Sequence, residues 1–221
     1  MSHTQTEPAG RPATPDGEAA DAVSTAGVQD QPPGSTPVAV VSFMRQLEAD
    51  ERIDGATAAL GAMADAVVGS PRVEHALRGA WLGHALHPLL TDFPLGAWMS
   101  ASFLDLFGGP EARRPAQRLV GFGLLAAAPT IGSGLAEWRA TTGGAQRVGV
   151  VHAAVNSTAT LLYASSWVAR RRGAPRLAVG LGVGGGVVAT LGGYVGGHLS
   201  LVRKIATTDS RFGPDARGGP G

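Results

Sequence analysis

Residues 119–136 read Leu119-Val120-Gly121-Phe122-Gly123-Leu124-Leu125-Ala126-Ala127-Ala128-Pro129-Thr130-Ile131-Gly132-Ser133-Gly134-Leu135-Ala136, without one charged side chain. A hydrocarbon core about 30 Å thick is crossed by roughly 20 apolar residues, so this run reads as a membrane span. Working outward, three more runs of similar length follow the same rule: Leu89 to Phe107, Val148 to Ala169 and Leu177 to Val202. The links, residues 108–118, 137–147 and 170–176, are short and force neighbouring spans to be antiparallel. The expected fold is all-α, an integral membrane four-helix up-down bundle. Its first span carries Asp92 and Asp105, and its Pro88 and Pro94 suit a helix start better than an interior. A kinked or partly re-entrant start is expected there.

A mean hydropathy of +0.09 averages two populations. Residues 1–90 hold 5 Lys+Arg and 11 Asp+Glu, whereas residues 91–221 hold 13 and 6. The first part is acidic and the second apolar with basic links. The net charge of +1 gives no case for a nucleic-acid partner. With no cysteine, disulfides, thiolate zinc sites, covalent haem attachment and cysteine-ligated clusters on this chain are excluded. The first thirty residues lack an apolar core, so no cleavable signal peptide is expected.

Residues 1–40, rich in Pro, Gly, Thr and acids, read as a disordered tail. Residues 41–86 read as short amphipathic surface helices: one over 42–53 capped by Ser42, one over 56–68 where Leu60, Met63 and Val67 recur at helical spacing, and one opened by Ser70-Pro71 and carrying Val73, Leu77 and Trp81. Residues 87–204 form the membrane domain and 205–221 a second disordered tail.

The first and third links face one side and hold Arg113, Arg114, Arg118, Arg170, Arg171, Arg172 and Arg176. The middle link holds only Arg139 and Arg147. The positive-inside rule places the seven-arginine side in the cytoplasm of a plasma (inner) membrane protein. Both termini then lie outside, where Arg203 and Lys204 argue the other way.

That outer face collects the histidines. His87 precedes the first span, His152 opens the third and His198 closes the fourth. Ionisable groups at spanning helices are functional-site hypotheses by default. Imidazole is a common ligand for iron, copper and zinc, so His87, His152 and His198 are candidate haem b or metal ligands. His84 is a further metal candidate through His84-x-x-His87, although Pro88 disfavours helical geometry at His87. Asp92, Glu137, Asn156 and Tyr194 are candidate partners that orient the imidazoles. His152 and Asn156 share one stripe; Thr190, Tyr194 and His198 share another. The alternative is a hydrogen-bond network that glues the bundle, with Asp92 paired to His87 or His152 and Glu137 to Arg139 or a histidine. Asp105 would pair with Arg113 or Arg114. Trp98 reads as a packing residue, Trp138 and Trp167 as interface anchors.

The fourth span holds Gly192/Gly196 and Gly193/Gly197 pairs, which suit close packing or homo-oligomerisation. A sharper reading has glycines near His198 making room for a flat cofactor. No catalytic triad, carboxylate pair or phosphate loop stands out, so enzymatic activity of the chain alone is not expected.

The run Trp81-Leu82-Gly83-His84-Ala85-Leu86-His87-Pro88-Leu89-Leu90-Thr91-Asp92-Phe93-Pro94-Leu95-Gly96 resembles the signature of a bacterial four-span membrane protein family of unknown function. So do Ser133-Gly134-Leu135-Ala136-Glu137-Trp138, Arg147-Val148-Gly149-Val150-Val151-His152 and Gly192-Gly193-Tyr194-Val195-Gly196-Gly197-His198-Leu199. Glu137 stands where the family pattern has Asp. Some family members are fused to a Rieske iron–sulfur domain, so the resemblance implies a redox setting with any iron–sulfur cluster on a partner chain. Two readings stand: a redox-associated membrane protein binding haem b or a metal, and a non-catalytic membrane scaffold.

Overall fold

The computed structural model describes residues 38–209; the expectations for residues 1–37 and 210–221 lie outside them. Among the described residues every regular element is helical. The seven α-helices are α1 (Ala39–Ala49), α2 (Asp54–Val68), α3 (Pro71–Arg78), α4 (Leu86–Phe107), α5 (Arg113–Arg139), α6 (Gly143–Arg171) and α7 (Pro175–Gly197). A π-helical turn, His198–Val202, continues α7. Pro110–Arg139 and Pro175–Val202 are long and apolar enough to cross a membrane. The 22-residue α4 and 29-residue α6 are not among the helices that meet that standard.

The four long helices pack in a cycle, α4 on α5, α5 on α6, α6 on α7 and α7 back on α4. Neighbours are antiparallel. His87 at the start of α4 meets Thr130 late in α5, Trp138 at the end of α5 donates to the carbonyl of Gln146 in α6, and Ser166 late in α6 donates to Ala178 early in α7. Trp138, expected as an interface anchor, is 8% exposed and packs on Gly149.

α4 is one continuous helix. Pro88 lies in its first turn, where the missing N–H leaves no intrahelical bond unmade, so His87 is helical. Pro94 lies in the interior and frees the carbonyl of Leu90, and the Thr130 hydroxyl fills that vacancy at 3.1 Å. Rescue of a freed carbonyl by a neighbouring helix is how spans tolerate proline.

The hairpins α4–α5 and α6–α7 repeat each other. His87 and His152 meet across the diagonal, as do Trp98 and Tyr163. Asp105 and Arg170 do the same, 65 residues apart in the chain, and that interval is common to all three pairs. Each ring is seated on a glycine of the second helix in its hairpin: His87 on Gly134, His152 on Gly196, Trp98 on Gly123 and Tyr163 on Gly185. A polar and aromatic column thus runs down the centre, with small residues closing around it. The pairing of Asp105 with Arg170 replaces the expected one with Arg113 or Arg114.

The short helices cover the histidine end. Met44 of α1 is buried against Val148 and Val195, and Ala64 of α2 against Leu135 and Trp138. Ser42 lies inside α1 rather than capping it, and Met63 and Val67 are exposed. Ser70 does cap α3, accepting from the Val73 N–H at 3.4 Å. α3 ends at Gly79, whose φ of 73° and close approach to the His84 carbonyl suit glycine. Trp81 therefore falls beyond that helix and is exposed. Acidic residues of α1–α3 pair with arginines at the histidine end: Asp54 with Arg147, Asp65 and Glu74 with Arg139, Glu48 with Arg203. The segment after the π-turn folds back, with the Asp209 N–H donating to Gly83.

Candidate functional site

α4 and α6 each present one histidine to the centre, because the small residues of α5 and α7 let them approach. The His87 and His152 ring centroids lie 6.3 Å apart at an interplanar angle of 82°. His87 Nδ1 donates to the Thr130 carbonyl at 2.9 Å and lies 3.3 Å from the Ser133 hydroxyl. His152 Nδ1 donates to the Gly192 carbonyl at 3.0 Å. A carbonyl only accepts, so both rings carry the proton on Nδ1. In a neutral ring that leaves Nε2 with the lone pair. Asn156 sits one turn from His152, donates to its carbonyl at 2.8 Å and packs on Gly192.

The other expected members are elsewhere. The His198 Nε2–H donates to Glu48 Oε1 of α1 at 2.8 Å. His84 is exposed in the turn before α4, opposite Thr208. Among the described residues no group of three or more His, Cys, Asp or Glu is placed to hold a metal, so the four histidines reduce to one pair. Asp92 is exposed and makes no hydrogen bond or ion pair among the described residues. Tyr194 and Thr190 are exposed on the outer side of α7, whereas its buried side is Gly185, Ala189, Gly192 and Val195. Glu137 is 9% exposed and accepts from the Thr207 N–H at 3.1 Å. Arg139 turns to Asp65 and Glu74 instead of Glu137.

The glycine readings change accordingly. Gly192 and Gly196 seat Asn156 and His152 within the chain rather than a flat group beside His198, while Gly193 and Gly197 have nothing within 4 Å. Thr130, Ser133 and Gly134, which fix the His87 ring, were not singled out from sequence. A signal for them exists: Ala116, Gly123, Ala127 and Gly134 share the spacing of Ala178, Gly185, Ala189 and Gly196.

At the acidic contacts, burial works to raise the Glu48 carboxyl, but hydrogen bonds from Arg203 and His198 outweigh it and hold it below its ordinary 4.5. Hydrogen bonds from Arg147 hold Asp54 below its ordinary value too.

No curated protein and no solved structure matches the chain. A family described as "Predicted membrane protein (DUF2231)", a domain of unknown function, matches residues 83–209. This stretch holds the whole α4–α7 unit and the histidine pair, and the chain belongs to that family of membrane proteins.

Proposed function

We propose that all four of α4–α7 span the plasma (inner) membrane and that His87 and His152 would together hold one haem b. The observation that carries this is the way the two rings are held. Each Nδ1–H is committed to a backbone carbonyl, and the centroids are 6.3 Å apart and nearly perpendicular. A bare ion would find two protein ligands here, whereas zinc takes three or four. Haem brings four nitrogen donors and asks for two, and without cysteine it is held non-covalently. When bound, the iron would supply one-electron redox chemistry. The chain's own part is to orient the imidazoles through Thr130, Ser133 and Gly192 and to exclude water with the α1–α3 cover. The electron partner would be a separate redox chain, an iron–sulfur protein among the candidates.

The membrane reading for α4 and α6 is supported by their outer faces. Leu89, Phe93, Met99, Phe103, Leu106 and Phe107 of α4 and Leu161 and Val168 of α6 point outward, while His87, Asp105, His152 and Arg170 face the centre; Asp92, Ser157 and Thr158 stay exposed. The arginines of the α4–α5 and α6–α7 links support a cytoplasmic position for that end. Arg139 and Arg147 are the only link arginines at the opposite end, so the reading leaves the histidine end extracytoplasmic.

The test is an absorption spectrum of the detergent-purified protein, oxidised and dithionite-reduced, with metal analysis on the same sample. A Soret band with sharp reduced α and β bands is expected, lost in His87→Ala and in His152→Ala and retained in His198→Ala. A colourless protein without stoichiometric metal, made with haem available, would overturn the proposal. The scaffold reading would then stand, favoured by the seating of both rings on glycine backbone. It makes the pair a cross-helix glue worth about 0.6–2 kcal/mol.

A further inference from the structure

Between α1 and the end of α7, a cavity of about 360 Å³ is lined on one side by Val41, Arg45 and Glu48 and on the other by Tyr194, Val202 and Arg203. The π-turn His198–Val202 builds its polar wall. In a π-turn residues five apart line up, whereas in an α-helix those four apart do, so His198 and Arg203 reach one carboxylate. The His198 Nε2–H donates to Glu48 Oε1 at 2.8 Å, and Arg203 Nε donates to the same oxygen at 2.6 Å. Arg45 lies three residues before Glu48 on the same face of α1. With Glu48 taken by the π-turn, Arg45 is exposed and makes no hydrogen bond or ion pair among the described residues. Tyr194 is 49% exposed, and its hydroxyl also has no bond among the described residues. Two arginines against one carboxylate leave the lining with a net charge of +1, His198 counted as neutral.

An apolar track leads away from this cationic cavity. Val183, Val187 and Leu191 share the Tyr194 stripe of α7 at spacings of three or four residues, and all three are exposed. The stretch Pro175–Val202 is long and apolar enough to cross a membrane, so the cavity lies where the span ends and the track lies among acyl chains. Tyrosine at a span end sits at headgroup level, and a basic pocket at that level suits an anionic headgroup. We infer that the cavity holds the headgroup of one anionic phospholipid. Its phosphate meets Arg45, the N–H groups that Arg203 does not give to Glu48, and the Tyr194 hydroxyl; its chains lie along Val187 and Leu191. Charge selects the lipid class. Phosphatidylglycerol brings one negative charge to a positive lining, whereas phosphatidylcholine is neutral overall and sets a quaternary ammonium beside Arg45. Bound there, the lipid ties α1 to α7. Such a site needs α7 to be a span but does not need the haem.

The experiment uses the full chain in maltoside micelles at fixed ionic strength. Thermal unfolding is followed while dioctanoyl phosphatidylglycerol, dioctanoyl phosphatidylcholine or glycerol 3-phosphate is titrated in. Phosphatidylglycerol is expected to raise Tm at concentrations where phosphatidylcholine and the chainless glycerol 3-phosphate do not. Arg45→Gln, at an exposed position, is expected to raise the midpoint of the phosphatidylglycerol effect about tenfold, as loss of one charge-assisted hydrogen bond does. Tyr194→Phe, which removes only the hydroxyl, is expected to raise it by a smaller factor, about fivefold. Arg72→Gln, at an exposed arginine of α3 outside the cavity, is expected to leave it in place. An equal response to both lipids overturns the inference. So does a midpoint that Arg45→Gln and Tyr194→Phe leave unchanged, or one that Arg72→Gln moves as far as Arg45→Gln. A gain from glycerol 3-phosphate at the same concentrations overturns the lipid in favour of a soluble ester. A chain that stays monodisperse without detergent would overturn the span reading of α7 itself.

Discussion

At the scale of single residues, the glycines of α7 divide into two classes that sequence does not separate. A Cβ on Gly196 would stand 2.7 Å from His152 Cε1, whereas a Cβ on Gly193 meets nothing within 4 Å. The same substitution should therefore have opposite signs. Gly196→Ala forces the imbedded imidazole off its seat and should cost about 1–3 kcal/mol, as overpacking does. Gly193→Ala removes a flexible residue from a helix interior and should stabilise by up to about 1 kcal/mol. Thermal unfolding of the two variants in one detergent checks this, and equal effects would mean that the His152 ring is not seated as described. His87 and His152 themselves were legible as polar groups at span ends, because composition and spacing are local. Their partners were not, because a backbone carbonyl such as that of Thr130 or Gly192 carries no mark in the sequence.

Among elements, α1 depends on charge. Glu48 joins α1 to the π-turn through His198 and Arg203, and Arg147 joins Asp54 to α6 while also donating to the Glu48 carbonyl. Both carboxyls titrate below their ordinary values in the folded chain. A carboxyl with a depressed folded value contributes stability that is present above its unfolded pKa and is lost as pH falls through the folded one. Docking of α1 should thus hold at neutral pH and loosen progressively below 4.5, the ordinary value for Glu48. Hydrogen exchange should show the amides of residues 39–54 losing protection over that range before those of α5. Glu48→Gln should lower protection already at neutral pH and flatten the acid response. The acids Glu48, Asp54, Asp65 and Glu74, visible in the composition, are in this light the complement of Arg139, Arg147 and Arg203.

For the whole molecule, the two hairpins meet across three central pairs, and the charged one is not interchangeable. The side chains of Asp105 and Arg170 are 5% and 6% exposed. Removing one partner leaves a buried charge uncompensated, which costs about 3–5 kcal/mol. Asp105→Asn and Arg170→Gln should each lower stability by that order. Asp105→Arg with Arg170→Asp should recover a large part of it, because the pair spans equivalent places in two repeated hairpins. Adding the combined Asp105→Asn/Arg170→Gln variant to the parent and the two single variants completes a double-mutant cycle, and strict additivity in it would show that the pair does not join the hairpins. From its apolar run lengths, short links and arginine asymmetry, the sequence alone determined the helical class, the order of the long helices, their antiparallel sense and which end holds the histidines. Only the tertiary structure decided that His87 meets His152 while His198 turns to Glu48, and that Asp105 meets Arg170. The physical reason is the rotation of each helix about its own axis. That rotation is set by where small residues such as Gly134, Gly185 and Gly196 allow close approach, and it alone selects which side chains face across the bundle.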